Sequence, residues 1–504
     1  MIDFTPIARK ILSARVRAAE ACSDRAAIER AQRRQLLWLT GHGERTAYGL
    51  KNGITATDDP AAFAAAVPVT PYPALRDWVM RMVAGERDIL WPGRCQRFAQ
   101  SSGTSDGKSK YIPVTADSLR LNHYRGASDV VAHYLHLYPD SRMFSGKGFI
   151  LGGSFANELT LPKGVYVGDL SANLIDAINP VVNLVRVPRK KVALMTDWTA
   201  KVPALVQASL RANITNISGV PSWFMTVIKE VVRAAGADNI HQVWPGLEVF
   251  FHGGISMEPY RAEYARLTDP ARMRYMETYN ASEGFFAVQD RREPGAMRLL
   301  LDAGVFYEFI PLDQVDEERP HTLTAWQVEQ GKTYALAITA ANGLWRYPLG
   351  DTVRIVGTEP LRIAIAGRTK SFINAFGEEV MVYNTDRALA RACAQCGCAA
   401  RDYTVAPVYA QGGHRGRHHW LVEWTKAPAD PAAFAAALDL ALQAENSDYQ
   451  AKRAGGIFLD PLTVQTVPAG TFEAWLARTG KVGGQRKIPR LSNSDTLQRA
   501  ILGK

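Results

Sequence analysis

The sequence predicts an α/β protein: a large N-terminal domain of α/β subdomains with a β-rich end, followed by a smaller, mobile α+β C-terminal domain. Three observations carry this. At 504 residues the chain is too long for one hydrophobic core and calls for two or more domains. Between about 115 and 300, short apolar runs end in glycine loops and lead into helix-like segments. Phe149-Ile150-Leu151 runs into Gly152-Gly153-Ser154, Ile214 to Ile217 into Ser218-Gly219-Val220-Pro221, and Leu247 to Phe251 into His252-Gly253-Gly254. That repetition predicts layered α/β structure with ligand loops beyond the strand ends. From about 300 to 366 the pattern becomes β-rich, with Thr333 to Thr339 and Thr352 to Val356 as strands and hairpin turns between them.

The elements follow in order. The first 50 residues, rich in Ala, Arg, Leu and Glu, read as helix. Asp59-Pro60 is an N-cap followed by proline at the first helical position, opening Ala61 to Ala66. Gly367 to Phe376 interrupts the β-rich pattern and is the expected hinge. The expected boundaries are therefore 1–366 for the N-terminal domain, 367–376 for the hinge and 377–504 for the mobile domain. In that last domain Asp430-Pro431 opens a helix over Ala432 to Glu445, with Phe434, Leu438 and Leu442 on one face.

Composition excludes several classes. Apolar content of 47% with 21% charged residues is that of a globular protein, and no apolar run is long enough for a membrane span. Met1 to Glu20 has scattered arginines and no apolar core segment, so no secretory signal is expected and the expected location is cytoplasmic. The net charge of +10 would suit nucleic acid, but the basic residues are dispersed and the densest cluster is only Arg189-Lys190-Lys191. A basic surface equally suits anionic small molecules. Neither nucleic acid nor membrane is an expected partner. Cys393, Cys396 and Cys398, with His414, His418 and His419 beyond them, fit no standard zinc spacing and read as reduced thiols.

Residues Ser101 to Lys110 (Ser-Ser-Gly-Thr-Ser-Asp-Gly-Lys-Ser-Lys) carry the strongest chemical signal. Gly103 and Gly107 let backbone N–H groups approach a ligand; Ser101, Ser102, Thr104 and Ser105 add hydroxyls; Lys108 and Lys110 add charge. Such a loop suits a triphosphate. It is not a Walker loop: the glycine spacing is one residue short, and Arg97 to Gln100 before it and Tyr111 to Thr115 after it both read as extended. The loop should join two strands. A polar hairpin turn without a ligand is the alternative.

Four further stretches are individually weak. Thr278-Tyr279-Asn280-Ala281-Ser282-Glu283-Gly284 pairs an aromatic that can stack on a purine with a carboxylate that can hold Mg²⁺. Trp345 to Asp351 places an aspartate at an expected tight turn entering a strand, where it could accept from two ribose hydroxyls or serve the turn itself. Gly367-Arg368-Thr369-Lys370-Ser371 and Gly484-Gln485-Arg486-Lys487-Ile488-Pro489 are basic, shaped loops.

Taken in order, the five stretches resemble the adenylate-forming superfamily. Within it, the chain is similar to the auxin-responsive Gretchen Hagen family of acyl-acid amido synthetases, over residues from about 95 to 490. One departure is Tyr347-Pro348-Leu349, where the family's plant members carry Tyr-Arg-Leu. The resemblance implies that the β-rich stretch, about 300–366, forms a β-barrel within the N-terminal domain, and it implies two half-reactions: a carboxylic acid and Mg·ATP give acyl-AMP and pyrophosphate, and an amino acid amine then gives an amide and AMP. It implies that Ser102, Thr104 and Ser105 cradle the β- and γ-phosphates, within a nucleotide site that also includes Ser101, Gly103, Gly107, Lys108, Asn280, Ser282, Arg368 and Lys370. Glu283 would place Mg²⁺, Tyr279 would stack on adenine beside Gly253 and Gly254, and Asp351 would hold the ribose. Lys487 would stabilise charge between the attacking carboxylate and the α-phosphate, and would withdraw when the small domain rotates about a hinge near Lys370. Candidates for the acyl pocket are His123 and Tyr124 on the helix after the phosphate loop, the Val220 to Phe224 turn with Trp223, and Phe285-Phe286. The alternatives are a thioester ligase sharing the first half-reaction and a non-catalytic nucleotide- or acid-binding protein.

Overall fold

The computed structural model describes residues 3–101, 110–157, 159–180, 182–254, 257, 260–369, 372–373, 378, 380–408, 416–446, 449–450, 453, 459–479, 487–492 and 494–503. It divides into two compact units. The first comprises Met1–Leu349 with Val353–Ala364, and the second Gly350–Thr352 with Ile365–Lys504.

In the first unit, β1 (Arg97–Ser101) pairs antiparallel with β2 (Lys110–Pro113). Next come β3 (Lys147–Ile150), β4 (Tyr166–Gly168), β5 (Arg186–Val187), β6 (Ile214–Gly219), β7 (Val249–Gly253), β8 (Arg274–Ala281) and β9 (Gly284–Val288). They are followed by β10 (Met297–Leu299), β11 (Val305–Pro311), β12 (Leu323–Thr324), β13 (Thr333–Ala340), β14 (Leu344–Thr358) and β15 (Leu361–Arg368). Strand β4 adds to β1 in parallel, while the others join one sheet in the order β12-β11-β13-β14-β15-β10-β9-β8-β7-β6-β3-β5.

The run from β5 through β3, β6 and β7 to β8 is parallel, as the strand–glycine-loop–helix repeats predicted. Helices bury both of its faces, which is why β7 is buried at every position. On one face the helix Pro221–Ala235 packs Phe224, Val227, Ile228 and Val231 against Phe149, Ile217 and Phe250. On the other, the helix Tyr124–Leu137 packs Val130 and Tyr134 against Val249, Phe251 and Met276.

The β-rich stretch expected as a barrel is continuous with this sheet and forms its antiparallel half. The helix Arg25–Gly43 covers it, and its fully buried Gln32 bonds to the backbone there: Nε2 donates to Leu301 O (2.7 Å) and Val305 O (3.0 Å), and Oε1 accepts from Tyr307 N (2.9 Å). The Asp59 cap is present, accepting from Ala61 N at 3.0 Å.

The second unit is α+β. Strand β16 (Phe372–Ile373) pairs with β17 (Val380–Met381), and β18 (Ala399–Val408), β19 (Arg417–Lys426) and β20 (Thr463–Val467) form a three-stranded sheet. The helices Val382–Cys396 and Pro431–Glu445 bury Leu389, Phe434, Leu438 and Leu442 against Tyr403, Trp420 and Val422 of that sheet. Asp430 caps its helix by accepting from Ala432 N (2.9 Å) and Ala433 N (3.0 Å). No helix among the described residues is long and apolar enough to cross a membrane.

Candidate active site

The strands flanking the Ser101–Lys110 segment pair as the sequence predicted. Strands β1 and β2 pair from Phe98↔Pro113 to Ser101↔Lys110, so residues 102–109 connect two antiparallel strands and not a strand and a helix. Ser102, Gly103, Thr104, Ser105, Gly107 and Lys108 lie outside the described residues, and Ser101 is placed through its backbone alone. At the base of the hairpin, Lys110 Nζ lies 3.5 Å from Tyr347 Oη and 5.8 Å from the centre of the Tyr72 ring. Tyr72 is itself fixed, its Oη accepting from Tyr111 N at 2.7 Å.

Two other predicted segments are brought together. Tyr279 and Asn280 lie just before the end of β8 at Ala281, Ser282 and Glu283 form the turn, and Phe285 is the second residue of β9. A Cβ on Gly253 would stand 2.5 Å from Thr278 O and 2.8 Å from Asn280 Oδ1, so only glycine lets β7 end this close to β8. Gly254 follows at φ +79°, a left-handed conformation that also favours glycine. The turn is clamped by residues that the motif reading missed. Asn122 donates from Nδ2 to Phe285 O and Ala303 O (both 2.9 Å) and accepts from Phe285 N (2.6 Å). Asn342 Nδ2 donates to Glu283 O at 2.9 Å. The Tyr279 ring is buried and packs on Phe286 at a centroid distance of 5.1 Å.

The acyl-pocket candidates divide. His123 closes a π-helical turn (Leu119–His123) and is buried, which pushes its pKa down to about 4. Tyr124 begins the following α-helix and donates from Oη to Leu174 O at 2.9 Å; burial raises its pKa to about 12. Phe285 is buried against the same helix, where a Cβ on Gly126 would lie 2.4 Å from its ring. Val220 and Trp223 lie at the start of a helix and not in a separate turn. Pro221 opens the helix Pro221–Ala235, because proline at a first helical position gives up no hydrogen bond, and Trp223 sits half-buried in that first turn.

Asp351 also differs from expectation. It lies within the long strand β14, buried, and not in a turn entering a strand. The irregularity there is Gly350 at φ +79°, whose carbonyl accepts from Thr369 N at 2.9 Å, one residue past the end of β15. Arg368 is placed through its backbone at the end of β15, and Lys370 lies outside the described residues. In the second unit Lys487 is exposed. The residues after it are held firmly: Ile488 is buried, Pro489 O accepts from Thr404 Oγ1 (2.7 Å), and Arg490 pairs with Asp402 and lies over the Tyr403 ring at 4.4 Å.

Arg346, in the same motif as Asp351, is buried at φ +45° and pairs with Glu308, which is also buried. Its Nη1 donates to Val67 O at 2.7 Å and its Nη2 to Thr322 Oγ1 at 2.9 Å. This arginine organises the first unit. Cys393, Cys396 and Cys398 are free thiols, and burial pushes Cys393 up to about 12. Among the described residues no group of three or more His, Cys, Asp or Glu is arranged to hold a metal ion.

This fold is that of the adenylate-forming ligases. The solved structure of the acyl acid amido synthetase AtGH3.15, in complex with 2,4-DB, superposes with a TM-score of 0.77 at 17% identity, covering 98% of this chain and 96% of that one. A 2-hydroxyisobutyryl-CoA ligase in its postadenylation state superposes with a TM-score of 0.58 at 14% identity, over 95% of this chain and 92% of that one. The chain belongs to the GH3 family: models of the family's N-terminal, central and C-terminal domains match residues 19–201, 298–368 and 383–496. Its relatives include the indole-3-acetic acid-amido synthetase GH3.8 of Oryza sativa subsp. indica, 23% identical over 92% of this chain and 88% of its own length. The indole-3-acetic acid-amido synthetase GH3.3 of Arabidopsis thaliana is 21% identical over 92% and 89%. A human GH3 domain-containing protein is 35% identical over an 85-residue stretch, 16% of each chain.

Proposed function

We propose that this protein is an ATP-dependent acyl-acid amido synthetase. It adenylates a small carboxylic acid and transfers the acyl group to the amine of an amino acid. The observation that carries this reading is the hairpin context of the Ser101–Lys110 segment, rich in hydroxyls and glycine, between antiparallel strands, in a chain whose N-terminal, central and C-terminal parts all match the GH3 family.

In the first half-reaction a carboxylate oxygen attacks the α-phosphorus of ATP and pyrophosphate leaves. The protein's task is to position the reactants and neutralise charge. Ser101, Ser102, Thr104 and Ser105, with backbone N–H groups freed by Gly103 and Gly107 and the charge of Lys108, hold the phosphates. The nucleotide is bounded by Gly253, Gly254, Tyr279, Asn280 and Ser282, with Asp351 toward the ribose and Arg368 and Lys370 completing the site. The residues present fit Mg²⁺: the ion takes one or two carboxylates plus substrate phosphates, and Glu283 offers its carboxylate from a turn clamped by Asn122 and Asn342. When bound, Mg²⁺ screens the phosphate charge. Lys487 donates to the oxygens that gain charge as the carboxylate attacks.

In the second half-reaction an uncharged amine attacks the acyl carbon, AMP leaves, and the amine's extra proton goes to solvent. The small domain, 377–504, swings about 367–376 between the two steps and withdraws Lys487. His123, Tyr124, Val220, Trp223 and Phe285 line the acid's side of the site. Trapping with hydroxylamine tests the first step: acid-dependent acyl hydroxamate with equimolar AMP and pyrophosphate is expected. Release of ADP and phosphate would overturn the reading.

A further inference from the structure

The parallel strands β3, β6, β7 and β8 end side by side, and in such sheets ligands bind beyond the carboxyl ends. One row at that edge is Gly219 on β6, His252 on β7 and Glu277 on β8, in register. His252 is the last side chain of β7 before Gly253 and Gly254. It is 4% exposed, and its Nδ1 is buried with no hydrogen-bond partner among the described residues. Its neighbours are aromatic: Phe250 at 5.6 Å and Tyr275 at 6.3 Å between ring centroids. Burial and the nearby charge of Arg261 both disfavour the protonated ring, which therefore stays neutral across the physiological range.

The contrast with His241 in the same unit is instructive. There Nε2 donates to Leu247 O at 3.0 Å and Nδ1 accepts from Asp269 N at 2.9 Å, so both ring nitrogens of that histidine are satisfied within the fold. Buried polar atoms in native proteins are nearly always paired, and an orphan at a ligand-facing strand end marks a place for a ligand's polar atom. A neutral imidazole whose proton cannot be titrated near pH 7 is poorly matched to general-base work but well matched to hydrogen-bonding.

We propose that His252 is a specificity-determining residue of the acyl site, its Nδ1 forming a hydrogen bond with a polar group on the ring or chain of the bound carboxylic acid. The inference rests on the adenylation reading and deepens it: the acid carries a hydroxyl, ring N–H or carbonyl besides its carboxylate. A site built to pair such a group discriminates against the analogue lacking it far more strongly than an apolar pocket does.

The test uses matched acids, indole-3-acetate against 1-naphthaleneacetate and 4-hydroxyphenylacetate against phenylacetate, with pyrophosphate release as the readout. In the wild type the polar member is preferred. In His252→Leu the ratio of kcat/KM values falls about tenfold or more while the KM for ATP holds. His252→Asn, whose amide can take the place of Nδ1, keeps the preference. An unchanged ratio in His252→Leu, or equal losses in both variants, overturns the proposal. If the wild type adenylates none of the acids, the failure falls on the adenylation reading. Nitrogen-15 spectra of labelled histidine then decide His252 alone: the polar acids should move its Nδ1 resonance, and no movement with any acid overturns the role.

Discussion

Arg346 and Glu308 meet as a buried ion pair 38 positions apart in sequence, with Nη2 2.7 Å from Oε1 and Nε 2.9 Å from Oε2. Both side chains are almost wholly out of water. The pair ties β14 to β11, and through Val67 O it also fastens the end of the helix Pro60–Ala66. Removing one partner strands a charge. Arg346→Met or Glu308→Leu should each cost about 3–5 kcal/mol in urea unfolding, while the double variant should cost much less than the sum. Additive losses would show that the two charges do not stabilise each other. Arg346→Lys should not rescue, because an ammonium cannot span both carboxylate oxygens.

Acid should destabilise the first unit through its buried histidines. Burial lowers His123 and His133 to about 4 and His252 to about 3, from an ordinary value of 6.5. Their folded values lie below the unfolded one, so between pH 6.5 and about 4 the unfolded chain binds more protons. The stabilisation is complete above pH 6.5 and is lost as pH falls through the folded values. Three such groups give a slope of up to roughly 4 kcal/mol per pH unit near pH 5. Urea unfolding at stepped pH measures it, and a flat profile from 6.5 to 4.5 would contradict the burial of these rings.

Lys487→Ala should separate the two half-reactions. We expect adenylation kcat to fall about 10²- to 10³-fold, with ATP affinity nearly unchanged and with aminolysis of supplied acyl-AMP retained. Stopped-flow pyrophosphate release and product formation from synthetic acyl-AMP report the two steps. Equal loss of ATP binding and of chemistry would remove the lysine from its assigned place.

Glu283→Gln should raise the Mg²⁺ concentration needed for half-maximal adenylation by about tenfold or more, since an amide is a far poorer ligand for a hard cation than a carboxylate. A Mg²⁺ titration at saturating ATP measures this. An unshifted midpoint with lower kcat would give the residue a different task.

Elements governed by local rules were legible in the sequence. Asp59 and Asp430 cap helices by a local device: each accepts from amides of the first turn, behind a proline at the first helical position. The β1–β2 hairpin and the parallel strands ending at Gly219 and Gly253 were legible because glycine loops punctuate apolar runs. What depends on distant partners was not. Arg346 reads as one basic residue in a motif until β11 brings Glu308 to it, and Asn122 gives no hint in sequence that it clamps Phe285. Asp351 was misplaced because Pro348 and Gly350 are turn residues by composition, whereas β14 runs straight through them, with Gly350 absorbing the irregularity at φ +79°. Val220 to Phe224 was misplaced for the converse reason: Pro221 signals a turn as readily as a helix start.

The central claim is tested most directly by identifying products. The protein is mixed with Mg·ATP, pooled carboxylic acids, pooled amino acids and coenzyme A, and the mixture is resolved by mass spectrometry. The account predicts AMP together with an acyl–amino acid amide, formed only when both acid and amine are present. An acyl thioester with AMP, or ADP in place of AMP, would contradict it.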